Sequence, residues 1–82
     1  MSISSEFKNR SYPYDISLIL RLEKIITGAN CHKVRGELQS YMSIITKLGK
    51  KRFNKNHTKQ ELIVEKNKCE EKLRKILFIY EN

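Results

Sequence analysis

The chain has 82 residues and a net charge of +8 at pH 7, from 17 Lys and Arg against 9 Asp and Glu. That length holds one small domain, because a second would need at least about 50 residues of its own, and the charge makes a polyanion or an acidic surface the natural partner. An apolar fraction of 39%, arranged in phased runs, argues against full disorder. No run approaches the roughly 18 apolar residues of a membrane span, and "MSISSEFKNR" lacks the apolar centre of a secretion signal; the expected location is cytoplasmic, with no membrane partner.

Residues 1–14 read as a polar tail ahead of a single helical domain over 15–82, with Phe7 and Tyr12 able to dock on the core. A short strand in this stretch is the alternative. Asp15 is the expected N-cap of a first helix over 15–29. Steps of 100° gather Leu18, Ile19, Leu22, Ile25, Ile26 and Ala29 in one sector and leave Ile16 and Leu20 on a second flank. Gly28 stands where a left-handed cap would close the run.

The second helix is expected over 31–48, where Val34, Leu38, Tyr41, Ile45 and Leu48 recur at alternating spacings of four and three, the seam of a helix packed lengthwise on another. Gly49 is the expected C-cap and Asn30 a start signal; Gly36 inside the run costs about 1 kcal/mol against alanine. A third helix over 58–80 opens with Thr58-Lys59-Gln60-Glu61, a capping-box arrangement. Its seam is Leu62, Cys69, Leu73, Ile76, Leu77 and Tyr80, with Glu70–Arg74 and Glu71–Lys75 as expected ion pairs on a solvated face.

Short connections between three helices predict an all-α domain, the second and third helices forming a long antiparallel hairpin with the first packed across it. The stripe that such a monomer buries on each helix is too narrow for Ile16 and Leu20 on the first helix or for Phe78 and Ile79 on the third. Those four residues predict a homodimer interface, the alternative being a monomer in which Phe7 and Tyr12 of the tail supply the cover.

The charge is not spread evenly. Residues 1–30, 31–46, 47–57 and 58–82 carry net charges of +1, +1, +5 and +1, so most of the excess lies in the connection "KLGKKRFNKNH". Lys47, Lys50, Lys51, Arg52, Lys55 and Lys59 have the charge to neutralise backbone phosphates, and Phe53 and His57 have rings that stack on unpaired bases. The N-terminus of the third helix adds amide donors of the right sign. A nucleic acid, RNA ahead of DNA, is therefore the expected partner, since a duplex reader would place its cations along one helix face. An acidic protein surface is the rival, and plain solvation of a loop the third reading.

Motifs for catalysis or cofactors are lacking: the sequence has no Gly-rich phosphate loop, H-E-x-x-H or G-x-S-x-G. Cys31, His32, His57 and Cys69 have no familiar zinc spacing. A Cys31–Cys69 disulfide fails in a hairpin, where the two lie about 26 Å and about 17 Å from the turn at 1.5 Å per residue. A non-enzymatic protein without cofactor is expected.

Twelve Lys to five Arg, with ten Ile and six Asn, is the usage of an AT-rich coding source, and the small, basic, helical whole resembles accessory proteins that large tailed phages use in host takeover. That resemblance implies an adaptor or inhibitor that binds a host or defence factor, such as a toxin endoribonuclease, in some cases together with RNA.

Overall fold

The computed structural model describes residues 3–50 and 58–81. It is all-helical, with four helices and no strand among the described residues: α1 (Ile3–Phe7), α2 (Ile16–Ile25), α3 (Cys31–Lys50) and α4 (Lys59–Glu81). The longest dimension is 40 Å, close to the length of α4, whose 23 residues span about 34 Å.

The N-terminal segment expected as a tail holds α1, a helix the periodicity does not signal because it is a single turn long. The Ser4 amide donates to Glu23 Oε1 on α2. Phe7 is fully buried, its ring 5.1 Å from that of Tyr14 and 5.7 Å from that of Tyr41. The segment thus contributes a central residue of the main core.

Asp15 caps α2 as expected, its Oδ1 accepting from the Leu18 amide at 3.1 Å. The C-terminus differs from the sequence expectation: α2 stops at Ile25, Ile26 is extended at φ −69° and ψ 127°, and Gly28 is not in the left-handed region. Asn30 is the cause. Its buried amide donates to the Ile25 carbonyl at 2.9 Å and accepts from the Thr27 amide at 2.7 Å, satisfying the end of α2 from the residue just before α3. Ile25 and Ile26 remain half-buried, whereas Ala29, expected in the apolar sector, is exposed.

Helix α3 runs unbroken through Gly36 and Gly49, and neither glycine has a positive φ. Gly49 therefore does not cap the helix. A Cβ there would lie 2.8 Å from Ser11 Oγ and 3.5 Å from the Tyr12 amide nitrogen, so the residue admits the arm between α1 and α2 against the last turn of α3. All five seam residues, Val34, Leu38, Tyr41, Ile45 and Leu48, are buried, joined by Ile44.

Two apolar clusters hold the helices. The larger unites Phe7, Leu18, Ile19, Leu22, Val34, Leu38, Tyr41, Ile45, Leu73, Ile76 and Leu77; the smaller consists of Ile44, Leu48 and Leu62. Cys69 packs against both. The most extensive helix pairing is between α3 and α4. Tyr80 departs from its expected seam position: it is 44% exposed, because the buried core of α4 ends at Leu77.

Polar ties cross the same core. The Tyr41 hydroxyl donates to Glu70 Oε2 at 2.6 Å and accepts from the Asp15 amide at 3.1 Å, linking α3 to α4 and to the start of α2. Glu70 pairs with Lys66 at 3.4 Å and Arg74 with Asp15 at 3.5 Å, in place of the Glu70–Arg74 pair that the spacing suggests. Glu71 and Lys75, the other expected pair, are not bridged to each other. Arg21 grips Glu81 with two bonds of 3.1 and 2.7 Å. Among the described residues, no helix is long and apolar enough to cross a membrane.

Candidate nucleic-acid interface

The basic end is built by the smaller cluster. Leu48 on the last turns of α3 and Leu62 on the first turn of α4 are both buried in it, which draws together the two helix ends that carry the flanking cations. Lys47, Lys50 and Lys59 are exposed there. Lys51, Arg52, Phe53, Lys55 and His57 lie outside the described residues. From Leu38 to Gln60 the chain contains no acidic side chain, a longer acid-free span than the connection alone; Glu61, the first acid after it, is exposed.

The start of α4 is fixed by Thr58, whose Oγ1 accepts from the Glu61 amide at 3.2 Å and whose carbonyl accepts from the Leu62 amide at 3.1 Å. One of the amide donors expected to face an anion is therefore already used. Lys47 and Lys50 sit in the last turn of α3, where free carbonyls give the helix its negative pole and favour cations.

One contributor escaped the sequence reading. Asn9, Arg10 and Ser11 of the N-terminal arm, with Ile45, Thr46, Gly49 and Lys50 of α3, line a notch of about 100 Å³ beside the basic connection. Arg10 and Lys50 are 40 positions apart in sequence, and the only sequence trace of their approach is Gly49, read there as a cap.

The four candidate dimer residues are all exposed: Ile16 40%, Leu20 45%, Phe78 72% and Ile79 63%. Docking of the N-terminal segment covers the core through Phe7 but leaves these four open. Steps of 100° around α2 put Ser17, Arg21 and Lys24 between its Ile16/Leu20 flank and the side that meets α4, so the four form two patches, separated by the Arg21–Glu81 bridge.

The remaining chemical groups are structurally engaged. Burial first, and then the bond to Glu70, push the Tyr41 phenol well above its ordinary value, which keeps it a neutral donor. Burial, reinforced by the negative charge of Glu37, likewise pushes the Cys69 thiol up. Both cysteines are free and partly exposed. Among the described residues, no three His, Cys, Asp or Glu side chains gather as a metal ion would require.

No family model, no curated protein and no solved structure matches the chain.

Proposed function

We propose that the chain is a small non-enzymatic nucleic-acid-binding protein, RNA favoured over DNA, acting as an adaptor or inhibitor. In this reading α3 and α4 form a long antiparallel hairpin, α2 lies across its open end, and the basic connection is the binding tip. The observation that carries it is the convergence of exposed Lys47, Lys50 and Lys59 on the two ends of an acid-free connection. Preference for single-stranded RNA is supported by α4 itself: its exposed cations Lys59, Lys68, Lys72, Arg74 and Lys75 are interspersed with the exposed acids Glu61, Glu65, Glu71 and Glu81, which is no uninterrupted basic stripe for a duplex groove. The inhibitory role, against a host defence factor such as a toxin endoribonuclease, rests on the resemblance to phage accessory proteins.

A binding titration over salt tests the reading. Six phosphate contacts on a single strand give a log–log slope of about −4, so affinity falls about 300-fold between about 50 and 200 mM salt. Flat affinity across that range removes phosphate contact and leaves docking on an acidic protein surface. A Lys50→Glu, Lys51→Glu, Arg52→Glu variant loses binding and keeps its helical circular dichroism.

The exposed apolar residues favour a second element of the proposal, a homodimer. Because they form two patches, an isologous pair sets Ile16 and Leu20 of one copy against the α4 patch of the other, twice, and carries two basic tips that grip one strand with avidity. Sedimentation of the full chain and of a Phe78→Ser, Ile79→Ser variant tests it: a full-length monomer at all concentrations refutes the dimer.

A further inference from the structure

We propose that the notch between the N-terminal arm and the last turn of α3 is a seat for one phosphate group, with Arg10 as its principal ligand and Lys50, Asn9 and Ser11 as further donors. The inference rests on the nucleic-acid reading and adds to it a defined contact outside the basic connection.

Three observations converge on it. Arg10 Nε is buried and has no hydrogen-bond partner among the described residues. A guanidinium is always charged and offers five N–H donors in a rigid fork, and a buried unpaired donor carries a desolvation cost that native structures avoid. Among the described residues, Nε makes no bond to the carbonyls at the end of α3, the ordinary role of a cation there. The notch itself is small, about 100 Å³, which suits one phosphate rather than an extended ligand. Its lining has two cations and no acid. The Thr46 hydroxyl is excluded as a donor, since it donates to the Met42 carbonyl at 2.8 Å.

The notch exists because Gly49 has no side chain. The arm approaches so closely that a Cβ would stand 2.8 Å from Ser11 Oγ, so the same glycine that admits the arm brings Arg10 beside Lys50. The C-terminal pole of α3 disfavours an anion, and the site therefore needs both cations. An RNA strand that lays one backbone phosphate here meets Arg10 and Lys50 together.

The test uses the full chain labelled with nitrogen-15, reading the Nε–Hε resonance of Arg10, assigned by its absence from Arg10→Lys. Two titrants are compared, inorganic phosphate and a single-stranded oligouridylate. The expected result is that the Arg10 resonance moves with both. In parallel, Arg10→Gln weakens the oligonucleotide about tenfold and makes the salt slope shallower by about 0.7. If the oligonucleotide binds while the Arg10 resonance stays fixed and Arg10→Gln binds like the parent, the notch is refuted and the basic tip stands. If phosphate moves the resonance and the oligonucleotide does not bind, the seat is supported as a site for free phosphate and the nucleic-acid reading falls. A resonance unmoved by either titrant, with no oligonucleotide bound, overturns both. Should Arg10→Gln fail to fold, the two titrations of the parent chain still decide.

Discussion

Replacing Tyr41 with phenylalanine removes one oxygen from the point where α2, α3 and α4 are tied together. The ring keeps its packing against Phe7, at 5.7 Å between centroids, so the loss isolates two hydrogen bonds. The first is charge-assisted, to Glu70 Oε2 at 2.6 Å, a class worth about 1.5 to 3 kcal/mol. The second satisfies the Asp15 amide at 3.1 Å and is worth about 1 kcal/mol. Glu70 retains Lys66 and some access to water, which offsets part of the loss, leaving about 2 kcal/mol of destabilisation. For a domain of this size that lowers Tm by about 8 to 16 °C. Thermal unfolding followed at 222 nm measures it, and a cycle with Glu70→Gln assigns the coupling to the pair. A Tyr41→Phe protein melting within about 2 °C of the parent refutes the claim that this hydroxyl ties the helices. The same variant has an alkaline signature. The folded state raises the phenol's pKa by burial and by the bond to Glu70, so the unfolded chain releases this proton first. Stability is therefore fully present below the ordinary value of 10.0 and is lost as pH rises above it; the fall is smaller in Tyr41→Phe.

Three further substitutions probe the other joints. Phe7→Ala empties the centre of the larger cluster and costs about 3 to 5 kcal/mol, a large share of the roughly 4 to 12 kcal/mol available to a chain of this length; urea unfolding at 10 °C shows a midpoint near zero denaturant or a large downward shift. Gly49→Ala gains up to about 1 kcal/mol of helix propensity, because Ser11 Oγ is the rotatable end of a short side chain and the remaining contacts are ordinary; the urea midpoint rises or holds, while oligonucleotide affinity falls as the notch narrows. Cys69, its thiol raised by burial and by Glu37, reacts with iodoacetamide at pH 8.5 more slowly than free cysteine, and denaturant abolishes the difference.

What the sequence makes legible is what one helix encodes by itself. The seam from Val34 to Leu48, the Asp15 cap and the Thr58 cap each depend on neighbours within a turn or two, and the structure places all of them as expected. What escapes depends on distant partners. Asn30 ends α2 five residues before itself because its side chain reaches back to Ile25 and Thr27, overriding an apolar sector that runs on to Ala29. Gly49 resembles a cap until Ser11 is known to lie against it. Glu70 leaves its expected partner Arg74 because Tyr41 and Lys66 reach it, and Arg74 is engaged by Asp15. Ile44 joins the core because α4 presents Leu62 to it. Of the candidate interface, the flanking lysines are legible from charge alone, whereas Arg10 becomes part of it only through the folded arm.

The division of labour among the acids explains why one end of so small a protein can stay strongly positive. The acids engaged in bonds act away from the tip: Glu23 holds α1 through Ser4, Asp15 caps α2 and pairs with Arg74, Glu70 takes Tyr41 and Lys66, and Glu81 clasps Arg21. Along α4, Glu81 is 22 residues from Lys59, about 33 Å at 1.5 Å per residue, or roughly four Debye lengths at physiological ionic strength. Charges at that distance do not soften the field at the tip. Along α4 the acids near enough to do so are Glu61 and, about 9 Å from Lys59, Glu65; the place of Glu61 in the first turn is where a helix favours an acid for its own stability. The cations of the tip meanwhile add little to folding, since Lys47, Lys50 and Lys59 have no ion-pair partner among the described residues and a solvated lysine contributes almost nothing. Their mutual repulsion is a cost that the helices bear, and in the proposed reading a polyanion laid across the tip relieves it.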